Sequence, residues 1–269
     1  MDMLESRPTP ANRRDTEKPV LVIDAEVAEA GLLIDDLDDA GDILLLILAG
    51  FAAGGMNALA GGGTFFSFPA LLAAGLPPVT ANATNAVALW PASLAAAWAA
   101  RGSLRPLGRY LLPLLLAGLL GGLGGGLLLL AGGDEIFRQL IPWLLLAATA
   151  LFAASPWLSR ALAARRAPGA QPPHGPLSLG AHVGVSIYGG YFGAGMGILQ
   201  LAAFAIEGHP LARANALKNL ISAVIYSIAT VTFVVAGRVS WAELAILLSG
   251  ATLGGYAGGA LGQRLPPAL

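Results

Sequence analysis

From Ile43 to Gly262 the chain runs through seven apolar segments, at about 43–74, 84–100, 107–131, 136–155, 181–206, 214–235 and 241–262, separated only by short polar breaks. A helix needs about 20 predominantly apolar residues to cross a bilayer, and most of these segments meet or nearly meet that length. Charged residues make up 12% of the 269-residue chain, and the mean hydropathy is +0.70. About 25% charge is usual in soluble domains, so too little polar surface remains to cover a water-soluble particle. The fold class this predicts is all-α: a polytopic membrane helix bundle of about seven spans in the cell (inner) membrane, with lipid as its solvent.

Charge is unevenly spread. Residues 1–42 hold 12 of the 16 acidic residues, with Arg7, Arg13, Arg14 and Lys18 as their only bases. That stretch reads as a solvated, disordered tail. Its Asp35-Asp36-Leu37-Asp38-Asp39 run resembles a Mg²⁺-diphosphate motif, but no second acidic cluster completes such a site. The other 227 residues carry four acids against 11 bases. No stretch looks like a cleavable secretory signal. The absence of cysteine excludes disulfides, thiolate metal sites and Cys nucleophiles. The three histidines lack metal-ligand spacing, and His182, near a span start, reads as a headgroup-level residue. No GxSxG, HExxH or Walker glycine loop is present. The reading is no enzyme, no metal, no cofactor and no nucleic-acid partner.

The apolar part divides into a first half at 43–155, a Pro/Gly/basic linker at 156–180 and a second half at 181–269. A single offset of 134 residues aligns Asn85 with Asn219, Gly50 with Gly184, Gly55 with Gly189, Gly61 with Gly195, Gly63 with Gly197, Ser93 with Ser227, and Gly121, Gly124 and Gly125 with Gly255, Gly258 and Gly259. Internal repeats of this kind build many secondary transporters. By the same offset the second half is expected to lack its last helix. Arg101, Arg105 and Arg109 should share the cytoplasmic side with Arg160, Arg165 and Arg166. If each Gly-broken segment counts as one crossing, Arg238 and the N-terminal tail fall on that side too, and the C-terminus on the other. A hairpin in either broken segment changes that parity.

Gly118, Gly122 and Gly126, like Gly250, Gly254, Gly258 and Gly262, recur every fourth residue and form flat stripes for close helix packing. The runs Gly61-Gly62-Gly63 and Gly193-Ala194-Gly195-Met196-Gly197 have another meaning. Such runs are costly inside a helix and mark breaks whose free N–H groups suit an anion. Asn57, Thr64 and Gln200 add polarity beside them. The next helices open with Asn82, Thr84 and Asn85, and with Asn215, Lys218 and Asn219, amides that both donate and accept. Lys218 is the only basic side chain expected near membrane depth. Capping by the asparagines and snorkelling by the lysine are the structural alternatives.

The segments Gly54-Gly55-Met56-Asn57-Ala58-Leu59-Ala60-Gly61-Gly62-Gly63, Gly75-Leu76-Pro77-Pro78, Ala83-Thr84-Asn85, Gly189–Gly197 and Ala214-Asn215-Ala216-Leu217-Lys218-Asn219 resemble, in that order, the sulfite exporter TauE/SafE family of bacterial-type membrane transporters. The resemblance covers about residues 43–265. It implies seven or eight spans and transport of sulfite, sulfonates or related sulfur-containing anions across the cell membrane. The chain differs from many members at Ala86, where they carry Lys. The expected partners are a small anion and the bilayer, with a homo-oligomer left open. A non-transporting membrane scaffold is the alternative function.

Overall fold

The structure, a computed structural model, describes residues 40–59, 62–104, 107–108, 111–164 and 175–262. The expectations for the acidic tail, for Gly61 and for the chain's last residues fall largely or wholly outside these. All regular structure among the described residues is helical: α1 (Ala40–Leu59), α2 (Thr64–Ala73), α3 (Pro78–Leu104), α4 (Leu111–Ala164), α5 (Pro176–Tyr191), α6 (Met196–Ile206), α7 (Leu211–Val235) and α8 (Trp241–Gly262). Among the described residues, three stretches are long and apolar enough to cross a membrane, Ala40–Asn57, Leu111–Ala154 and Ala212–Val235. Many large apolar side chains face outward, among them Leu48, Phe51, Leu120, Leu128 and Val235. An apolar exterior of this extent is what a lipid-facing bundle presents.

Several boundaries differ from the sequence reading. α3 begins at Pro78 rather than near 84, because a proline suits the first helical turn, where no N–H is needed. The polar break near 132–135 is not a loop. Within α4 the chain turns at Gly133 alone, at φ 66°, a conformation glycine adopts without a Cβ penalty. The linker is shorter than read, since α4 continues to Ala164 and α5 starts at Pro176.

Glycine sets which helices touch. A Cβ on Gly254 would stand 1.9 Å from the Phe51 carbonyl oxygen, one on Gly250 2.2 Å from that of Ile47, and one on Gly54 2.0 Å from that of Ala251. The contacts rise together in both helices, so α1 and α8 run parallel with their backbones touching. The first arm of α4 and α5 make the corresponding contact: Gly121 meets Val183 and Ser186, Gly125 meets Ile187, and Gly190 meets Gly122. Only glycine permits this approach, where dispersion and close packing replace the hydrophobic drive missing between helices in lipid.

These contacts fix the course of the broken segments. α8 starts just beyond Arg238, whose guanidinium lies 4.0 Å from the Asp134 carboxylate. α1, parallel to α8, therefore starts at this Asp134 end. α3 starts there as well, because the Val79 N–H donates to Asp134 Oδ1 at 2.8 Å and the Ser240 N–H donates to Thr84 Oγ1 at 3.0 Å. Residues 40–73 thus leave and return to one end as a hairpin. In the second broken segment, His182 near the start of α5 lies 2.8 Å from Glu207 just beyond α6, so α5 and α6 form a hairpin rooted at the opposite end, the one carrying Arg101. Both broken segments thus take the hairpin course that changes the parity. Arg238 and the start of α1 lie at the Asp134 end, and α8 ends at the Arg101 end. A glycine run announces that a helix breaks; tertiary contact decides the angle.

Candidate functional site

Two hairpin tips and the middles of α3, α7 and α8 enclose a cavity of about 490 Å³. Hairpin one contributes Asn57 from the end of α1, Gly62 from the break and Thr64 from the start of α2; hairpin two contributes Gly193, Met196 and Gly197. From α7 come Asn215, Lys218, Asn219, Ser222 and Tyr226. Positions 215, 218, 219, 222 and 226 recur at helical spacing of three or four and so share one face of α7.

Lys218 is the central feature. It is 8% exposed and lines the cavity, and no carboxylate pairs with it among the described residues. Ion pairs with acidic partners occur near the bundle ends instead: Arg138 with Glu135, Arg238 with Asp134, and His182 and His209 with Glu207. A buried ammonium in polar surroundings with no protein counter-charge is costly unless an anion completes the site.

Of the residues singled out in sequence, Asn57, Gly62, Thr64, Gly193, Gly197, Asn215, Lys218 and Asn219 line the cavity. The others stand behind it. Asn85 is buried, donating from Nδ2 to Thr64 Oγ1 at 3.3 Å and accepting from the Ser67 hydroxyl through Oδ1. Gln200 accepts from Ser222 at 3.0 Å. Thr84 accepts from the Ser240 N–H, and Asn82 donates to the Tyr191 carbonyl at 3.0 Å. Gly63 packs on Ala53, with 2.5 Å between its ideal Cβ and the Ala53 oxygen. Gly195, at φ 75°, forms the left-handed turn that starts α6 and faces Ala148 and Leu151 of α4.

Sequence reasoning missed Ser93, Ser222, Tyr226 and Thr252, which add hydroxyls to the lining. Ser93 and Thr252 each donate to the carbonyl four residues earlier, at 3.1 and 2.8 Å. That is how hydroxyls hide inside apolar helices, so composition gives them no prominence. His182, near the bundle end, has closer neighbours than its sequence suggested. It is 2% exposed, stacks on Phe204 at 4.6 Å and faces Glu207. Glu207, in the loop between α6 and α7, would have its carboxyl pushed up by burial, but hydrogen bonds from His182, His209 and Ser178 outweigh this and hold it far below the usual carboxylate range.

An all-helical bundle with a lipid-facing exterior, glycine-broken hairpins and a cationic polar cavity defines a polytopic membrane transport protein. Comparison with known proteins gives the family: the profile described as Sulfite exporter TauE/SafE matches residues 46–269, and the chain belongs to that family. It is 30% identical over 227 residues to the probable membrane transporter protein YfcA of Escherichia coli strain K12, covering 82% of each chain. It is 29% identical over 225 residues to a probable membrane transporter protein of Haemophilus influenzae, covering 82% of this chain and 86% of that one. No solved structure matches. The chain is accordingly a membrane transporter, and its family and relatives are named for transport rather than catalysis.

Proposed function

We propose that this protein carries a small sulfur oxyanion, sulfite or a sulfonate, through the cavity at Lys218. The observation behind this is the buried ammonium without a carboxylate partner among the described residues, surrounded by Asn57, Asn215, Asn219, Ser93 and Ser222. The cation supplies charge complementarity. The neutral amides and hydroxyls replace part of the anion's hydration without holding it too tightly to leave. An oxyanion of sulfur offers several acceptor oxygens to such a donor set, and the family's description names sulfite.

The bundle is read as two inverted repeats. The pairing of α1 with α8 and of α5 with the first arm of α4 supports this, because each repeat lends its first helix to the other and the two hairpins are rooted at opposite ends. Full crossings are then α3, the two arms of α4, α7 and α8, with the hairpins entering from opposite faces. By the positive-inside rule, the end carrying Arg101 is read as the cytoplasmic one, in an inner membrane. The cavity lies toward that end.

The test is uptake of labelled sulfite, thiosulfate and a sulfonate by proteoliposomes, with and without a pH gradient. Saturable flux that disappears in an Asn85→Ala/Asn219→Ala double variant identifies the substrate. Absence of flux for every one of these anions, in vesicles holding folded protein, sinks the proposal.

A further inference from the structure

The cavity occupies only one half of the bundle. Its lining on α3 runs from Ala88 to Ala96, toward Arg101; on α7 it runs from Tyr226 back to Asn215, again toward that end. The half toward Asp134 is shut. There Phe137, one turn beyond the kink at Gly133, packs on Phe68, Tyr191 and Phe192 with ring centroids 6.0, 5.6 and 6.0 Å away, and Phe68 meets Phe192 edge-on at 5.3 Å. Phe68, Phe137 and Phe192 are at most 2% exposed. Both hairpins and the second arm of α4 contribute, so the cluster spans the parts that must separate for anything to pass.

The 134-residue offset shows that this closure is one-sided. Phe68, Tyr191 and Phe192 correspond to Ala202, Asn57 and Ala58. At those three positions the end toward Arg101 carries no aromatic, which is a physical reason for the cavity opening there. Near the aromatics lie buried polar groups, one of them with an unpaired atom. Asn82 is 2% exposed; its amide donates to Tyr191, yet its Oδ1 has no hydrogen-bond partner. Beside it, Thr84 and Asn85 are fully buried. A buried amide oxygen without a partner is costly, and as an acceptor it would be satisfied by water entering an open mouth, while the amide N–H side is what an oxyanion would meet.

We propose that the aromatic cluster is the gate of a second mouth of the translocation path, at the Asp134 end, and that Asn82, Thr84 and Asn85 line that mouth for the same oxyanion when the gate opens. This rests on the anion-transport reading above. Asn82 and Asn85 donate amide N–H groups there, in place of the Lys218 charge on the other side, so the anion is held more weakly at the second mouth. A path that opens at one mouth while shut at the other is an alternating-access carrier rather than an open channel.

The chain contains no cysteine, so single cysteines report access without background. Ala95→Cys probes the cavity. Ala81→Cys and Ala117→Cys, the counterparts of cavity-lining Asn215 and Ala251, probe the proposed mouth at two independent positions. Each full-length variant goes into vesicles of known orientation and meets a membrane-impermeant methanethiosulfonate. Ethanesulfonate serves as the anion, because sulfite itself attacks such reagents. The expected result is labelling of Ala95→Cys from the Arg101 face only, and of Ala81→Cys and Ala117→Cys from the opposite face only. Labelling at the latter two should rise about tenfold when Phe137→Ala loosens the gate and also during transport. If both stay unlabelled from that face in vesicles that transport, the second mouth is overturned while the anion reading survives. If they label as expected and Phe137→Ala speeds the reaction, yet no anion moves, the mouth stands and the anion reading fails.

Discussion

The stem of Lys218 lies across Gly197: its Cδ is 3.4 Å from where a Cβ on that glycine would stand. The second hairpin thus brings its break against the one buried ammonium among the described residues, and a side chain at 197 would push that ammonium out of place. Charge-assisted hydrogen bonds contribute about 1.5–3 kcal/mol. Lys218→Ala should therefore lower anion flux about tenfold or more at equal membrane expression. Gly197→Val should lower it in the same direction while keeping the charge. Proteoliposome flux normalised to inserted protein measures both, and unchanged flux in Lys218→Ala removes the lysine from the site.

Asn85 and Asn219, which the 134-residue offset aligns, have different surroundings. Asn219 lines the cavity, whereas Asn85 is tied to Thr64 and Ser67 behind hairpin one. Asn219→Ala should raise the half-saturation concentration for anion supplied from the Arg101 side. Asn85→Ala should chiefly lower the maximal rate, by loosening the tip that carries Thr64. Concentration series on the two single variants separate these effects, and the reverse assignment would contradict the geometry.

Much of this arrangement is legible in residues. The helix starts with Asn215, Lys218 and Asn219 stood out because polar groups are rare in an apolar chain, and all three face the cavity. The hairpins were not legible. Thirty-two residues at 43–74 suit one kinked crossing as well as an arm and its return, and the choice rests on Gly63 seating against Ala53 and on α1 lying along α8. Tyr226 was overlooked because an aromatic on an apolar helix reads as filler. Only the fold shows that it faces the cavity.

Glu207 carries a pH signature. Its carboxyl is lowered in the folded protein by His182, His209 and Ser178, so its contribution to stability is present above the ordinary carboxylate range and is lost only as pH falls through the lower folded value. Glu207→Gln should reduce the thermal midpoint at neutral pH, and the gap to the parent should persist at about pH 4–5. A gap that closes in that range would mean an ordinary, exposed carboxylate.

Gly254 and Gly124 separate close packing from mere glycine content. A Cβ at 254 would lie 1.9 Å from the Phe51 carbonyl oxygen and 2.6 Å from its carbon, backbone atoms that cannot turn aside. At 124 nothing lies within 4 Å, so the added methyl points into open space, or lipid. Alanine is also the better helix former by about 1 kcal/mol. Gly124→Ala should therefore leave the thermal midpoint in detergent unchanged or slightly raised. Gly254→Ala should force α8 away from α1, losing the backbone contact along the whole seam, at a cost of about 2–3 kcal/mol. Because Ala251, Thr252 and Gly255 on that same helix line the cavity, the displacement should reach the site. Flux per folded molecule should fall in Gly254→Ala even at temperatures where the protein stays assembled, whereas an assembled Gly254→Ala protein with parental flux would show that the seam fixes stability alone.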